Sequence, residues 1–367
     1  RRGDTLGSIA AQNGTTVMQL WQNNPQLGGT DRIQPGQMLV LSYGNKLGRF
    51  AVNGYAYPSI NTNSLNCVLP FLTFLSPFSY KLTPTAELVP PDDGDLIFRA
   101  QRSAVMPIMV VTNIFDEGFS TEALSGVLAS EELQERLIGN ILSELTGKNY
   151  YGVNMDIEYI APDDRERYNA FLERLTECLH NEGFIVMSAL APKISADQPG
   201  VLYEAHDYAE QGRIVDYVII MTYEWGYKYG PPMAVAPLNK VRQVVEYALT
   251  EIPSEKILLG VPNYGYDWIL PFMRGESQAV TIGHVEAVQI AINNSAVIEF
   301  DETAQSPYFT YEKDNVRHEV WFEDVRSLSA KYSLIKEYNL RGMAVWQIMR
   351  LFRAMWILFD DFFEKRE

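Results

Sequence analysis

The sequence predicts an α/β protein: a (β/α)8 TIM barrel with a small α+β insertion, preceded by a small module of its own. Three observations lead there. From residue 48 onward, eight short apolar runs recur, at 49–55, 71–75, 107–112, 152–158, 185–190, 217–221, 257–261 and 342–346. Amphipathic helical spacing fills several of the gaps between them. No Gly-rich phosphate loop follows the first run, which argues against a doubly wound open sheet. With 367 residues, 47% of them hydrophobic, the chain can bury one large core and still carry an attachment.

Residues 1–43 form the attachment. In "GDTLGSIAAQNG", Thr5 is a helix N-cap, Leu6, Ile9 and Ala10 recur at helical spacing, and Asn13-Gly14 is a stop. "TTVMQLWQNNP" repeats the logic, with Thr16 as cap and Val17, Leu20 and Trp21 on one face. "IQPGQMLVLSY" reads as a Pro-Gly turn running into a strand. These stretches resemble a LysM module, the small domain that binds N-acetylglucosamine-containing glycans. The counterpart of the module's usual first strand would lie before Arg1.

The barrel occupies 48–367. A helix over 131–145 places Leu133, Leu137, Ile141 and Leu145 at i, i+4 spacing, and one over 165–180 places Tyr168, Phe171, Leu172, Leu175 and Leu179 on one face. The strand–helix rhythm breaks at 268–320, which reads as an α+β insertion before the last barrel strand. Within it, "SPYFTYEKDNVRHEVWF" alternates as a hairpin with Asp314-Asn315 at its turn.

The run "YYGVNMDIEYI", residues 150–160, is unusual for a buried parallel strand, which normally reads apolar throughout. Gly152, Asn154, Asp156 and Glu158 share one face, and Val153, Met155, Ile157 and Tyr159 share the other, expected under the outer helices. Polar groups inside a barrel cost several kcal/mol unless hydrogen-bonded. They run toward the C-terminal end of the strand, where barrel active sites form. Glu158 is expected last, at the mouth, with Asp156 about 6–7 Å below it. A nearby anion raises a carboxylate's pKa, so Glu158 suits a general acid.

"YGVNMDIE" resembles the strand-four signature of glycoside hydrolase family 18, DG-x-D-x-D-x-E, and residues 48–360 resemble that family's barrel. Tyr151 and Asn154 stand where the pattern has its first two Asp residues. The resemblance implies that Glu158 is the acid/base and that Asp156 orients the substrate's acetamido group, with Asn154 beneath it. "MTYEW" supplies Tyr223, whose hydroxyl would meet the acetamido carbonyl, followed by Glu224 and Trp225 as binding residues. "GVPNYGYDW" supplies Asn263, Tyr264 and Tyr266 as cleft residues, and "GMAVWQI" supplies Trp346 as an apolar floor for the sugar. Together with the LysM-like module, the chain is similar to the spore cortex-lytic N-acetylglucosaminidases of the SleL/YaaH type. The implied activity is retaining, substrate-assisted cleavage of β-1,4 bonds in peptidoglycan, or alternatively in chitooligosaccharides. A catalytically silent glycan-binding protein is the competing class; the presence of Glu158 speaks against it.

The formal net charge of -16, without a Lys/Arg cluster, argues against nucleic acid and anionic membrane as partners. The apolar "MRLFRAMWILFDDFF" is interrupted by charges and too short to cross a bilayer. Cys67 and Cys178 form no CxxC pair and are expected as buried free thiols. A metal enzyme would have to use Asn154, Asp156 and Glu158 as oxygen ligands. None of His180, His206, His284 or His318 lies in metal-motif spacing, so neither metal nor cofactor is expected. The expected partner is a polysaccharide, met by a monomer outside the cytoplasm at a bacterial cell wall or spore. Because residue 1 falls inside a motif, no targeting signal is visible.

Overall fold

In the computed structural model, which describes residues 1–27, 30–41, 48–115 and 118–365, eight parallel strands close into a barrel. They are β1 (Gly48–Ala56), β2 (Phe74–Pro77), β3 (Met106–Thr112), β4 (Gly152–Asp156), β5 (Ile185–Leu190), β6 (Tyr217–Ile220), β7 (Ile257–Pro262) and β8 (Gly342–Trp346). Each pairs with the next, and β8 returns to β1 through Ala51↔Gly342 and Asn53↔Ala344. Closure leaves no barrel edge to protect.

The two faces of each strand do different work. Val52, Met109, Val111, Val153, Met155 and Val218 point outward into the large core beneath the helices. Ala51, Tyr55, Phe74, Ile108, Val110, Met187, Ile219 and Leu258 fill the inside. The helices Glu131–Lys148 and Arg165–Asn181 bury the leucine stripes that their spacing predicts, Leu133 only in part. β2 starts at Phe74 rather than 71, because Leu69–Phe71 forms a 3-10 turn with Pro70 at its start. Proline has no N–H for a strand ladder and suits a first helical turn.

The insertion is an antiparallel sheet. Its strand order is Val280–Ile282, Gly265–Leu270, Val316–Trp321, Ser306–Lys313 and Glu299–Asp301, with the helix His284–Asn293 on one face. The hairpin turns at Asp314 and Asn315, both left-handed with φ of 52° and 61°; Asn and Asp tolerate that region best among non-glycine residues. The sheet begins at Gly265, three residues ahead of the expected 268, because Gly265 already pairs with Ile282.

In the N-terminal module, Thr5 and Thr16 cap two short helices, each closing a capping box. Leu6, Ala10, Leu20 and Leu27 form its small core. The expected closing strand is not formed among residues 33–41. There the backbone of Val40 meets a side chain instead: Asn24 Nδ2 donates to Val40 O at 2.8 Å, and Val40 N donates to Asn24 Oδ1 at 2.7 Å. The module docks on the insertion and the helix after it, through Ile298 N to Pro35 O at 3.0 Å and Arg326 Nη2 to Gly36 O at 3.1 Å. The thiols are free, but Cys67 is exposed and Cys178 half-buried. Neither matches the buried position expected, since each lies on a helix face turned partly to solvent.

β4 approaches β5 closely at Gly152. A Cβ there would sit 2.2 Å from Ile185 O. Gly152→Ala is therefore expected to push the two strands apart and cost about 1–3 kcal/mol of unfolding free energy, measured by urea denaturation.

Candidate active site

β4 stops pairing one rung after Val111↔Met155, at Thr112↔Asp156. Glu158 therefore lies just beyond the strand rather than in it, as the alternation alone would place it. Past it, Tyr159 turns left-handed, with φ of 54°. Its ring does not pack under the helices as expected. It is 42% exposed and tilts against Phe119, with centroids 6.0 Å apart. Ile157 does pack inward on the helical side. The backbone of Glu158 is held by Asn113, just after β3: Asn113 Nδ2 donates to Glu158 O at 2.8 Å, and Glu158 N donates to Asn113 Oδ1 at 3.0 Å.

Below this turn a few buried polar side chains sit among the apolar residues of the barrel interior. Asn154 Nδ2 donates to the Tyr55 hydroxyl at 2.8 Å, and Ser76 Oγ donates to Asn53 Oδ1 at 2.7 Å. Asp156, above them, is 5% exposed, and its Oδ1 has no hydrogen-bond partner. A buried carboxylate oxygen without a donor is costly, so it is poised to accept an N–H from a bound molecule.

Asp156, Glu158, Tyr223, Glu224 and Trp346 all line one cleft of about 360 Å³. Trp346 ends β8 and meets Phe78 and Tyr55 edge-on, at centroid distances of 4.7 and 5.4 Å. Tyr57, Phe78, Phe119 and Tyr203 complete the aromatic wall. None of these four was singled out from the sequence. Tyr57 and Phe78 are the first residues after β1 and β2, so inspection of the positions just past each strand would have found them.

Five other expected site residues lie outside the cleft lining. Asn154 is wholly buried one layer down. Asn263 is buried and structural: its Nδ2 donates to Gln347 O at 3.0 Å and Arg350 O at 2.8 Å, pinning the chain behind Trp346. Tyr264 and Tyr266 are buried in the wall, and both hydroxyls donate to Glu224 Oε1, that of Tyr266 at 2.9 Å. Trp225 faces the opposite way. Glu224 is left-handed, with φ of 66°, and the chain then pairs Trp225 N with Val235 O at 3.1 Å. Its indole lines a separate groove with Lys240 and Val244.

The model of a family described as glycosyl hydrolases family 18 matches residues 109–350, and that of the LysM domain matches residues 1–42. A cortical fragment-lytic enzyme of Bacillus subtilis (strain 168) is 43% identical over 320 residues, covering 85% of this chain and 74% of that protein. The crystal structure of the spore cortex-lytic enzyme SleL from Bacillus megaterium QM B1551 superimposes with a TM-score of 0.84 at 36% identity, covering 100% of this chain and 86% of that one. A chitinase from Chromobacterium violaceum ATCC 12472 matches with a TM-score of 0.79 at 23% identity, covering 85% and 98%; at that identity it speaks for the fold alone.

Electrostatically, the cleft floor favours bound protons. Burial lifts Asp156 to about 7. Glu158 is pushed up to about 8, first by burial and then by the charges of Asp156 and Glu224. Burial raises Glu224 as well, offset in part by the hydroxyls of Tyr264 and Tyr266. Glu158 therefore holds its proton to higher pH than an ordinary glutamate. Removing one neighbouring anion should weaken its hold on that proton. Glu224→Gln is expected to move the Glu158 titration to lower pH, read by carboxyl-labelled glutamate NMR.

Proposed function

The chain belongs to glycosyl hydrolase family 18, and from that premise we propose that it hydrolyses β-1,4 bonds of an N-acetylglucosamine-containing glycan, with bacterial peptidoglycan as the polymer. The observation that carries this reading is the buried Asp156 oxygen without a donor, set beside the Glu158 carboxyl in a cleft walled by aromatic rings. Such a site suits a sugar that brings its own N–H and its own nucleophile.

In the proposed reaction the Glu158 carboxyl donates its proton to the glycosidic oxygen. The C–O bond to the leaving sugar breaks as the anomeric carbon of the other sugar bonds to that sugar's own acetamido carbonyl oxygen, giving an oxazolinium ion. Asp156 Oδ1 accepts the acetamido N–H, and the Tyr223 hydroxyl donates to the carbonyl oxygen. The Glu158 carboxylate then takes a proton from water, whose oxygen opens the oxazolinium on the face the leaving group left, so configuration is retained. Holding an intramolecular nucleophile in line supplies a large part of the rate. The burial that raises both carboxyls favours the protonated form of the acid.

Peptidoglycan is preferred over chitin because the relatives whose names mention spore cortex or cortical fragments share 35–43% identity, whereas the chitinases share 15–23%. The LysM match and the names of those relatives support a reading in which the enzyme acts at a cell wall or spore; that it does so as a monomer is part of the same proposal. No helix of the described residues is long and apolar enough to cross a membrane.

Three outcomes are expected. Glu158→Gln loses hydrolysis by about 10²–10⁴-fold while still binding glycan; activity near wild type would reject Glu158 as the acid. Muropeptides and chitooligosaccharides digested side by side, with products read by mass spectrometry, should show faster cleavage of the muropeptides. De-N-acetylated oligosaccharides should resist cleavage, and their rapid hydrolysis would sink the acetamido mechanism.

A further inference from the structure

The catalytic turn has a holder that touches neither cleft nor substrate. β3 and β4 pair backbone to backbone up to Thr112↔Asp156, and then both chains leave the ladder. Glu158, two residues on, would have its peptide groups unpaired in a partly buried place. A carboxamide offers one acceptor and two donors on a planar frame, the same hydrogen-bonding face as a peptide unit. Asn113 presents that face to a single residue, accepting from Glu158 N at 3.0 Å and donating to Glu158 O at 2.8 Å.

Asn113 is itself immobile. It is wholly buried, its second amide hydrogen points to Ser120 O at 3.3 Å, and its carbonyl accepts from Ser120 N at 2.9 Å. From outside, Thr121 Oγ1 donates to Tyr159 O at 2.7 Å, holding the next residue of the same turn. The segment after β3 thus grips both Glu158 and Tyr159, at the point where the chain turns left-handed.

We infer that Asn113 is a positioning residue for hydrolysis: its carboxamide replaces a strand partner and fixes the Glu158 backbone, and through it the direction in which the carboxyl meets the scissile oxygen. This rests on the reading of Glu158 as the proton donor. Asn113 lies outside the cleft lining, so its loss should act on the chemical step rather than on binding.

The test compares Asn113→Ala, Asn113→Asp and Thr121→Val with wild type on muropeptides, with folding checked by thermal unfolding. Asn113→Ala loses both bonds, and kcat should fall about 10–100-fold with KM changed less than about 3-fold. Its basic pH limb should also move down, as Glu158 drifts from its buried place among Asp156, Glu224 and the hydroxyls of Tyr159 and Tyr223. Asn113→Asp keeps the volume and the acceptor but not the donor, and should lose kcat in the same direction. Thr121→Val, at a half-buried position, gives a smaller loss of the same kind and covers the case in which the Asn113 variants do not fold. Folded variants that keep wild-type kcat and pH limb overturn the inference. So does a loss confined to KM. Glu158→Gln, run alongside, separates the two claims: its retention of activity would remove Glu158 as the acid, whatever the Asn113 variants do.

Discussion

The site depends on one constraint: two carboxyls are held close together at the C-terminal mouth of a closed barrel. Closure forces every second residue of β4 inward, and Asp156 is left almost wholly buried at the cleft floor. Neither Asp156 nor Glu158 can shed its proton cheaply there. The surrounding groups follow from that cost. Asn154 donates to the Tyr55 hydroxyl below, Glu224 stands opposite under two tyrosine hydroxyls, and Trp346 shields the floor. An oxygen of Asp156 remains without a donor, as does Asn154 Oδ1 beneath it.

The period-two alternation of 152–158 was legible because a strand has few ways to use it. A parallel strand with an acidic inner face belongs at a barrel mouth or nowhere. The barrel's eight runs were legible for the same reason, since apolar segments between amphipathic helices have little choice of partner. The strand's end was not legible. Tyr159, just past the strand's end, reads locally as a good strand former, yet it is left-handed and its carbonyl is bonded by a residue nearly forty positions earlier. Asn113 went unnoticed on the same ground: a single carboxamide in "VVTNIF" carries no pattern, and its role exists only once β3 and β4 lie side by side.

Trp225 and Asn263 show the opposite difficulty. Each sits in a stretch that does contribute to the site, and proximity in sequence suggested proximity in function. One left-handed residue, Glu224, separates Tyr223 in the cleft from Trp225 outside it. The amide of Asn263 is spent on two carbonyls behind Trp346. The insertion sheet similarly acts from behind, with Tyr264, Tyr266 and Trp268 packed against the partly buried Tyr223 and Trp346. Its share in the site is to hold the wall that the cleft residues lean on.

Two carboxamides in this chain, Asn113 and Asn24, each bond both the N–H and the C=O of one distant residue. That device has a chemical lifetime. Asparagine ages to aspartate when the following backbone nitrogen attacks its side chain, and the product keeps its shape while losing its donor. Asn24 is followed by Pro25, whose nitrogen has no hydrogen to give up and cannot close that ring. Asn113 is followed by the β-branched Ile114 and is sealed from water. Ring closure is blocked at Asn24 and hindered at Asn113, so the donor that holds the Glu158 backbone is protected from this decay.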